Sequence, residues 1–89
     1  MDILKCAFAG TMESSDAYVE IGPGEGRLEI QLESVVQKQF GEKIHALIRE
    51  VLGEYGVDSA EVHVIDRGAL ECVIRARVET AILRGKGDV

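Results

Sequence analysis

The pattern of apolar residues predicts an α+β fold, a two-layer sandwich in which a mainly antiparallel sheet carries two helices on one face. Three observations lead there. Short runs of alternating polarity fill the chain before residue 34, a long stripe at three- and four-residue steps follows them, and a further alternating run then leads into a second helical stripe.

The first candidate strand, around Lys5 to Ala9, is short. Gly10 to Asp16 follows it as an exposed polar loop. Ala17-Tyr18-Val19-Glu20-Ile21 alternates and ends at Gly22-Pro23-Gly24-Glu25-Gly26, a turn holding the chain's single proline. Leu28-Glu29-Ile30-Gln31-Leu32-Glu33 then alternates without a fault. The two runs read as half-buried strands joined in a hairpin. Ser34 and Gln37 have capping-box spacing, and Val36, Phe40, Ile44, Leu47, Ile48, Val51, Leu52 and Tyr55 form one apolar stripe. A helix from about Val35 to Glu54 results, roughly 30 Å long, with Gly56 as its left-handed stop.

Glu61-Val62-His63-Val64-Ile65 supplies a fourth strand. Leu70, Val73, Ile74, Val78, Ala81 and Ile82 then mark a second helix closed by Gly85, with Glu71 near its start and Arg84 and Lys86 near its end to suit the helix dipole. The long helix allows a right-handed parallel crossover into the last strand. The sheet face lined by Glu29, Gln31, Glu33 and His63 stays wet. Strand order is not readable from these patterns.

Composition narrows the function. The 89 residues make one domain, 1–89, too small to wall off a deep active site, with a core drawn from a 46% apolar, 4% aromatic composition. Sixteen acidic against ten basic side chains give a net charge of −6. That balance disfavours nucleic acid and anionic membranes as partners and suits proteins with basic patches. Cys6 and Cys72 are too few for a disulfide framework and have no neighbours at metal-site spacing, so they read as reduced, small apolar residues of a cytoplasmic protein, with no metal. The start, with an acid at position two, fails as a signal peptide, and no apolar run reaches the ~18 residues of a membrane span.

Candidate chemistry is sparse. The glycines at 22, 24 and 26 precede a strand and surround Glu25, so they form a hairpin turn and not a phosphate cradle. His45 reads as a solvated helix residue and His63 as a sheet-face residue, with no serine or cysteine placed for either to activate. What remains is Gly10-Thr11-Met12-Glu13-Ser14-Ser15-Asp16, where two hydroxyls lie between carboxylates. Its plain reading is a turn in which Asp16 or a serine bonds nearby backbone.

Three separated segments resemble the acyl carrier subunit (gamma chain) family of citrate lyase: Ala9 to Asp16, Val36-Gln37-Lys38-Gln39-Phe40-Gly41, and Asp66-Arg67-Gly68-Ala69-Leu70-Glu71-Cys72 running into Ile74-Arg75-Ala76-Arg77. The resemblance covers nearly the whole chain. It implies that Ser14 is linked through a phosphodiester to the CoA-derived group 2'-(5''-triphosphoribosyl)-3'-dephospho-CoA. The residue after that serine is often glycine in the family, and here it is Ser15. The residues alone do not choose between the two hydroxyls; alignment to Glu13 and Asp16 selects Ser14.

By the same resemblance the chain is a non-catalytic carrier. Its arm holds acetyl and citryl thioesters while citrate is cleaved to acetate and oxaloacetate. The implied partners are the alpha and beta subunits of citrate lyase in a hetero-oligomer, a prosthetic-group transferase and an acetylating ligase. The transferase must supply the base that activates the serine. Two alternatives stand beside this reading: the carrier subunit of malonate decarboxylase, which uses the same kind of group, and a protein-interaction module with no covalent group.

Overall fold

A computed structural model describes residues 2–87; Met1, at the start of the segment read for a signal peptide, and residues 88–89 of the expected domain lie outside the described residues. The elements follow the expected order: β1 (Ala7–Gly10), β2 (Ala17–Gly22), β3 (Leu28–Ser34), α1 (Gln37–Glu54), β4 (Ala60–Asp66) and α2 (Glu71–Gly85). They build the α+β sandwich. In each of β2 and β4 alternate residues are buried, and Val19, Ile21, Val62 and Val64 meet Ile48, Val51 and Leu52 of α1 and Ile74, Val78 and Ile82 of α2 in one core. That core is aliphatic throughout.

The expected hairpin between the second and third strands does not form. The sheet order is β1-β2-β4-β3, so β4 lies between them. β4 pairs antiparallel with β2, from Ala17 opposite Asp66 to Gly22 opposite Glu61. It pairs parallel with β3, from Leu28 beside Ala60 to Ser34 beside Asp66. The hairpin is made instead by β1 and β2.

Burial explains the exchange. The inward side chains of β4 are fully covered, whereas those of β3 are only half-buried, so β4 gains more from an interior position and β3 takes the edge. The loop after β2 is shaped for that detour. Ala60 N–H donates to the Arg27 carbonyl (2.9 Å) and Gly26 N–H to Ser59 Oγ (2.8 Å), tying the loop to the start of β4. Gly24 sits so close to Ala60 that a Cβ there would stand 2.3 Å from its backbone nitrogen.

Helix ends differ in detail. Only half of the expected capping box is present: Gln37 Oε1 accepts the Ser34 N–H (3.3 Å), but Ser34 Oγ accepts from Val36 N–H (3.1 Å) and donates to Asp66 (2.8 Å), so the helix begins two residues later than expected. Phe40, expected in the core, is 47% exposed, one turn before buried positions begin at Ile44. Leu70 and both cysteines, expected apolar contacts, are exposed as well.

Gly56 is left-handed as expected, but Gly85 is not a stop. It is the buried last residue of α2, where its carbonyl accepts the N–H groups of Leu4 (3.0 Å) and Lys5 (3.1 Å) and its bare Cα lies against Ile3 and Ile21. Close approach to the N-terminal segment is what requires glycine there, and the left-handed residue is Gly87. Among the described residues no helix is long and apolar enough to cross a membrane.

Candidate functional site

The 10–16 loop joins β1 to β2 and is a rigid corner. Gly10 has φ +91°, and a Cβ there would stand 1.9 Å from the Ala17 carbonyl oxygen, so only glycine lets the chain leave β1 at this angle. Beyond it, Asp16 N–H donates to the Glu13 carbonyl (3.1 Å), closing a four-residue turn. Ser14 is the first central residue of that turn and Ser15 the second. Ser15 has φ +67°, the combination expected of a type II turn, whose second central position favours glycine. The expected exposed polar loop is therefore present, with Ser14 at its apex and solvent-exposed.

Asp16 fixes the turn from below. Its Oδ1 accepts Arg77 Nε–H (3.0 Å) and the Ala17 N–H (2.7 Å), while Oδ2 accepts Arg77 Nη2–H (3.1 Å) and the Thr11 hydroxyl (2.7 Å). Thr11 Oγ1 in turn accepts the Glu13 N–H (3.2 Å). The Asp16 side chain is only 14% exposed, and hydrogen bonds from Arg77, then Thr11, then the Ala17 amide hold its carboxyl well below the usual carboxylate range. The plain turn reading of Asp16 thus holds as geometry, but its main partner comes from α2.

A second corner braces the first. Ser15 N–H donates to the Arg67 carbonyl (2.9 Å) and Arg67 N–H to the Asp16 carbonyl (3.0 Å), extending the β2–β4 ladder to the foot of the turn. Asp66, 1% exposed, accepts the Gly68 (3.1 Å) and Ala69 (2.9 Å) amides on Oδ1 and the Ser34 hydroxyl on Oδ2. Its own carbonyl accepts Val35 N–H (3.1 Å). The loop, the entry to α1 and the 66–77 segment therefore meet at one end of the molecule.

The two serine hydroxyls of the site are free. Among the described residues neither serine side chain is hydrogen-bonded, and neither histidine touches the loop. His63 lies on the open sheet face, with Nε2 3.2 Å from Glu33 and Nδ1 3.8 Å from Glu20. The arrangement presents an unencumbered primary alcohol on a stiff corner without a base beside it. Both serines are exposed, and the tie from Ser15 to Arg67 is made by its backbone amide and leaves its hydroxyl unbonded.

Two residues were missed as parts of this site, although both left a trace. Arg77 stands beside the buried stripe of α2, three residues after Ile74 and next to Val78, where a half-covered cation is favoured by an acidic partner. Asp66 falls on the inward face of β4 after Ala60, Val62 and Val64, where a carboxylate requires donors.

Comparison with known proteins finds relatives over nearly the whole chain. Residues 5–85 match the family model described as malonate decarboxylase delta subunit (MdcD). A citrate lyase acyl carrier protein of Albidiferax ferrireducens is 52% identical over 90 residues, covering 100% of this chain and 92% of its own. One from Escherichia fergusonii is 52% identical over 85 residues, 94% of this chain and 88% of that protein. A Pseudomonas malonate decarboxylase hetero-tetramer, solved in complex with malonate, contains a chain of the same fold: TM-score 0.79 at 24% identity, covering 94% of this chain and 87% of that one. With 52% identity over nearly the whole chain, the chain belongs to the citrate lyase acyl carrier protein family.

Proposed function

We propose that this chain is the acyl carrier subunit of a citrate lyase, a single non-catalytic carrier domain over residues 1–89 whose Ser14 Oγ is the attachment point for a CoA-derived prosthetic group. The observation that carries the reading is an exposed, unbonded Ser14 hydroxyl on a corner stiffened from both sides by Asp16 and Arg67. The group is triphosphoribosyl-dephospho-CoA joined through a phosphodiester, and when bound it supplies a terminal thiol that carries acyl groups.

The local residues suit a phosphodiester. Two carboxylates flank the serines, yet Asp16 is matched by the Arg77 guanidinium, which leaves Glu13 as the uncompensated charge beside Ser14. The resulting repulsion is modest at an exposed position and opposes free phosphate more than a covalent linkage. Attachment requires the Ser14 hydroxyl to lose its proton. With no histidine in contact, the base comes from a transferase that docks on the corner. The turn's work is to hold Ser14 outward and to keep Glu13 and Thr11 from folding over it.

The partners under this reading are the alpha and beta catalytic subunits, the transferase and an acetylating ligase, in the cytoplasm. A tethered arm raises the effective concentration of its acyl group at both active sites if it spans them. The names of the 52% identical relatives favour citrate lyase over malonate decarboxylase. Intact mass is the test. Carrier made together with the transferase and the cofactor-synthesising enzyme gains the mass of the group, and Ser14→Ala does not while melting as wild type does. An unmodified wild-type chain refutes the covalent reading in favour of a plain interaction module, and a modified Ser14→Ala variant moves the anchor.

A further inference from the structure

One face of the sheet has no layer over it. Both helices lie on the side of Val19, Val62 and Ile30, so the opposite side chains, Phe8 on β1, Tyr18 and Glu20 on β2, Glu61 and His63 on β4, and Glu29 and Gln31 on β3, look outward. Phe8 is 61% exposed and leans on Tyr18 with ring centroids 6.0 Å apart. Beside it, toward the Gly22 end of β2, the surface sinks into an open hollow of about 600 Å³, lined by Phe8, Glu20, Gly22, Glu29, Glu61 and His63.

The charge in that hollow opposes the fold's own stability. Glu29 and Glu61 occupy directly adjacent positions across the parallel β3–β4 pair, and like charges so placed are destabilising. Glu20 stands on the next strand over, beside His63. Arg27, at the rim, reaches Glu29 only at 3.7 Å and is itself highly exposed. A cation entering between these carboxylates would remove the repulsion, and an apolar side chain beside it would cover Phe8.

Position completes the argument, which rests on the carrier reading above. The far rim of the hollow is at the Gly22–Glu61 end of the sheet, about 17 Å along β2 from the Ala17–Asp66 end that carries the Ser14 corner, and its near edge, at Glu20 and His63, is about 10 Å from that end at ~3.4 Å per residue. A carrier whose arm visits more than one active site must be gripped away from its point of attachment. We propose that this uncovered face is the permanent seat of the carrier on a catalytic subunit of the lyase, and that the subunit places a lysine or arginine in the hollow with aliphatic contact to Phe8. The transferase, a transient visitor to Ser14, binds the opposite end.

Isothermal titration of the full-length carrier against isolated alpha and beta subunits, at low and high salt, tests the seat. Glu61→Lys and Phe8→Ala weaken binding to one subunit by roughly tenfold or more, and Glu61→Gln by less with a flatter salt dependence. Glu42→Lys, the same charge change at an exposed position on α1, leaves it unchanged. All three positions are exposed, and thermal melts check that each variant folds. Unchanged binding in Glu61→Lys and Phe8→Ala overturns the seat, as does an equal loss in Glu42→Lys. Intact mass after loading separates this from the carrier reading: Ser14 is still modified in Glu61→Lys. Loss of loading with subunit binding intact would assign the face to the transferase and overturn the proposal.

Discussion

Replacing Ser15 by glycine should make the protein more stable, although it adds no contact. Ser15 is held at φ +67°, a region that costs an L-residue roughly 1 to 2 kcal/mol. Glycine enters it freely but loses about 0.4 to 1 kcal/mol through the greater freedom of its unfolded chain. The exposed Ser15 hydroxyl has no hydrogen-bond partner to forfeit, and the amide that donates to Arg67 is retained. The balance is a gain of about 0.5 to 1 kcal/mol, which for a domain of this size raises the melting temperature by roughly 2 to 8 °C. Calorimetry on wild type and Ser15→Gly reads this directly. The same variant, loaded by the transferase, keeps its added mass if Ser14 is the anchor. A lower melting temperature refutes the turn geometry, and loss of the added mass refutes the choice between the two hydroxyls.

The remaining expectations concern the clamp, the core and the thiols. Arg77→Ala should speed amide exchange at Asp16 and Ala17 and slow loading of Ser14, and Arg77→Lys, which cannot reproduce the paired geometry, should restore only part of it. Because the Asp16 carboxyl is lowered in the folded protein, its contribution is complete above the ordinary carboxylate range and is lost as pH falls through that range toward the lowered value. Denaturant midpoints should therefore drop from about pH 5 downward, and less steeply in Arg77→Ala. Ile74→Ala should cost about 2 to 5 kcal/mol and half-exposed Phe40→Ala about 1 kcal/mol or less, so equal losses in urea melts would contradict the burial of these two residues. Cys6 and Cys72, both exposed, should react with a thiol reagent in native protein as fast as in unfolded chain.

Local pattern carried most of the fold. Strict alternation in Leu28 to Glu33 and the stripe from Ile44 to Leu52 each name a buried face without help from the rest of the chain, and both elements are where those patterns put them. What failed was pairing. Ala17 to Ile21 and Leu28 to Glu33 look like hairpin partners because they are close in sequence, and nothing within either run reports that Ala60 to Asp66 is better covered between them. Phe40 was misplaced for a related reason: it fits the stripe, but the stripe does not say where the sheet beneath it ends.

The site was half legible. Ser14 was visible through its loop and its resemblance, whereas the carboxylate holding that loop takes its main partner sixty-one positions away. Side-chain type at Arg77 hinted at such a partner, but only the packed helix shows which one.

The interior place of β4 also sets the order in which the molecule can be made. As the chain leaves the ribosome, β1 and β2 can join at once, but β3 has no neighbour until residues 60–66 have emerged, and the tether between Gly85 and Leu4 waits for the end of α2. A nascent chain halted before Ala60 would display two unsatisfied strand edges and an uncovered helix, a state prone to stick to its own kind. Beyond the early β1–β2 hairpin, completion of the sheet then waits on the slow meeting of distant segments.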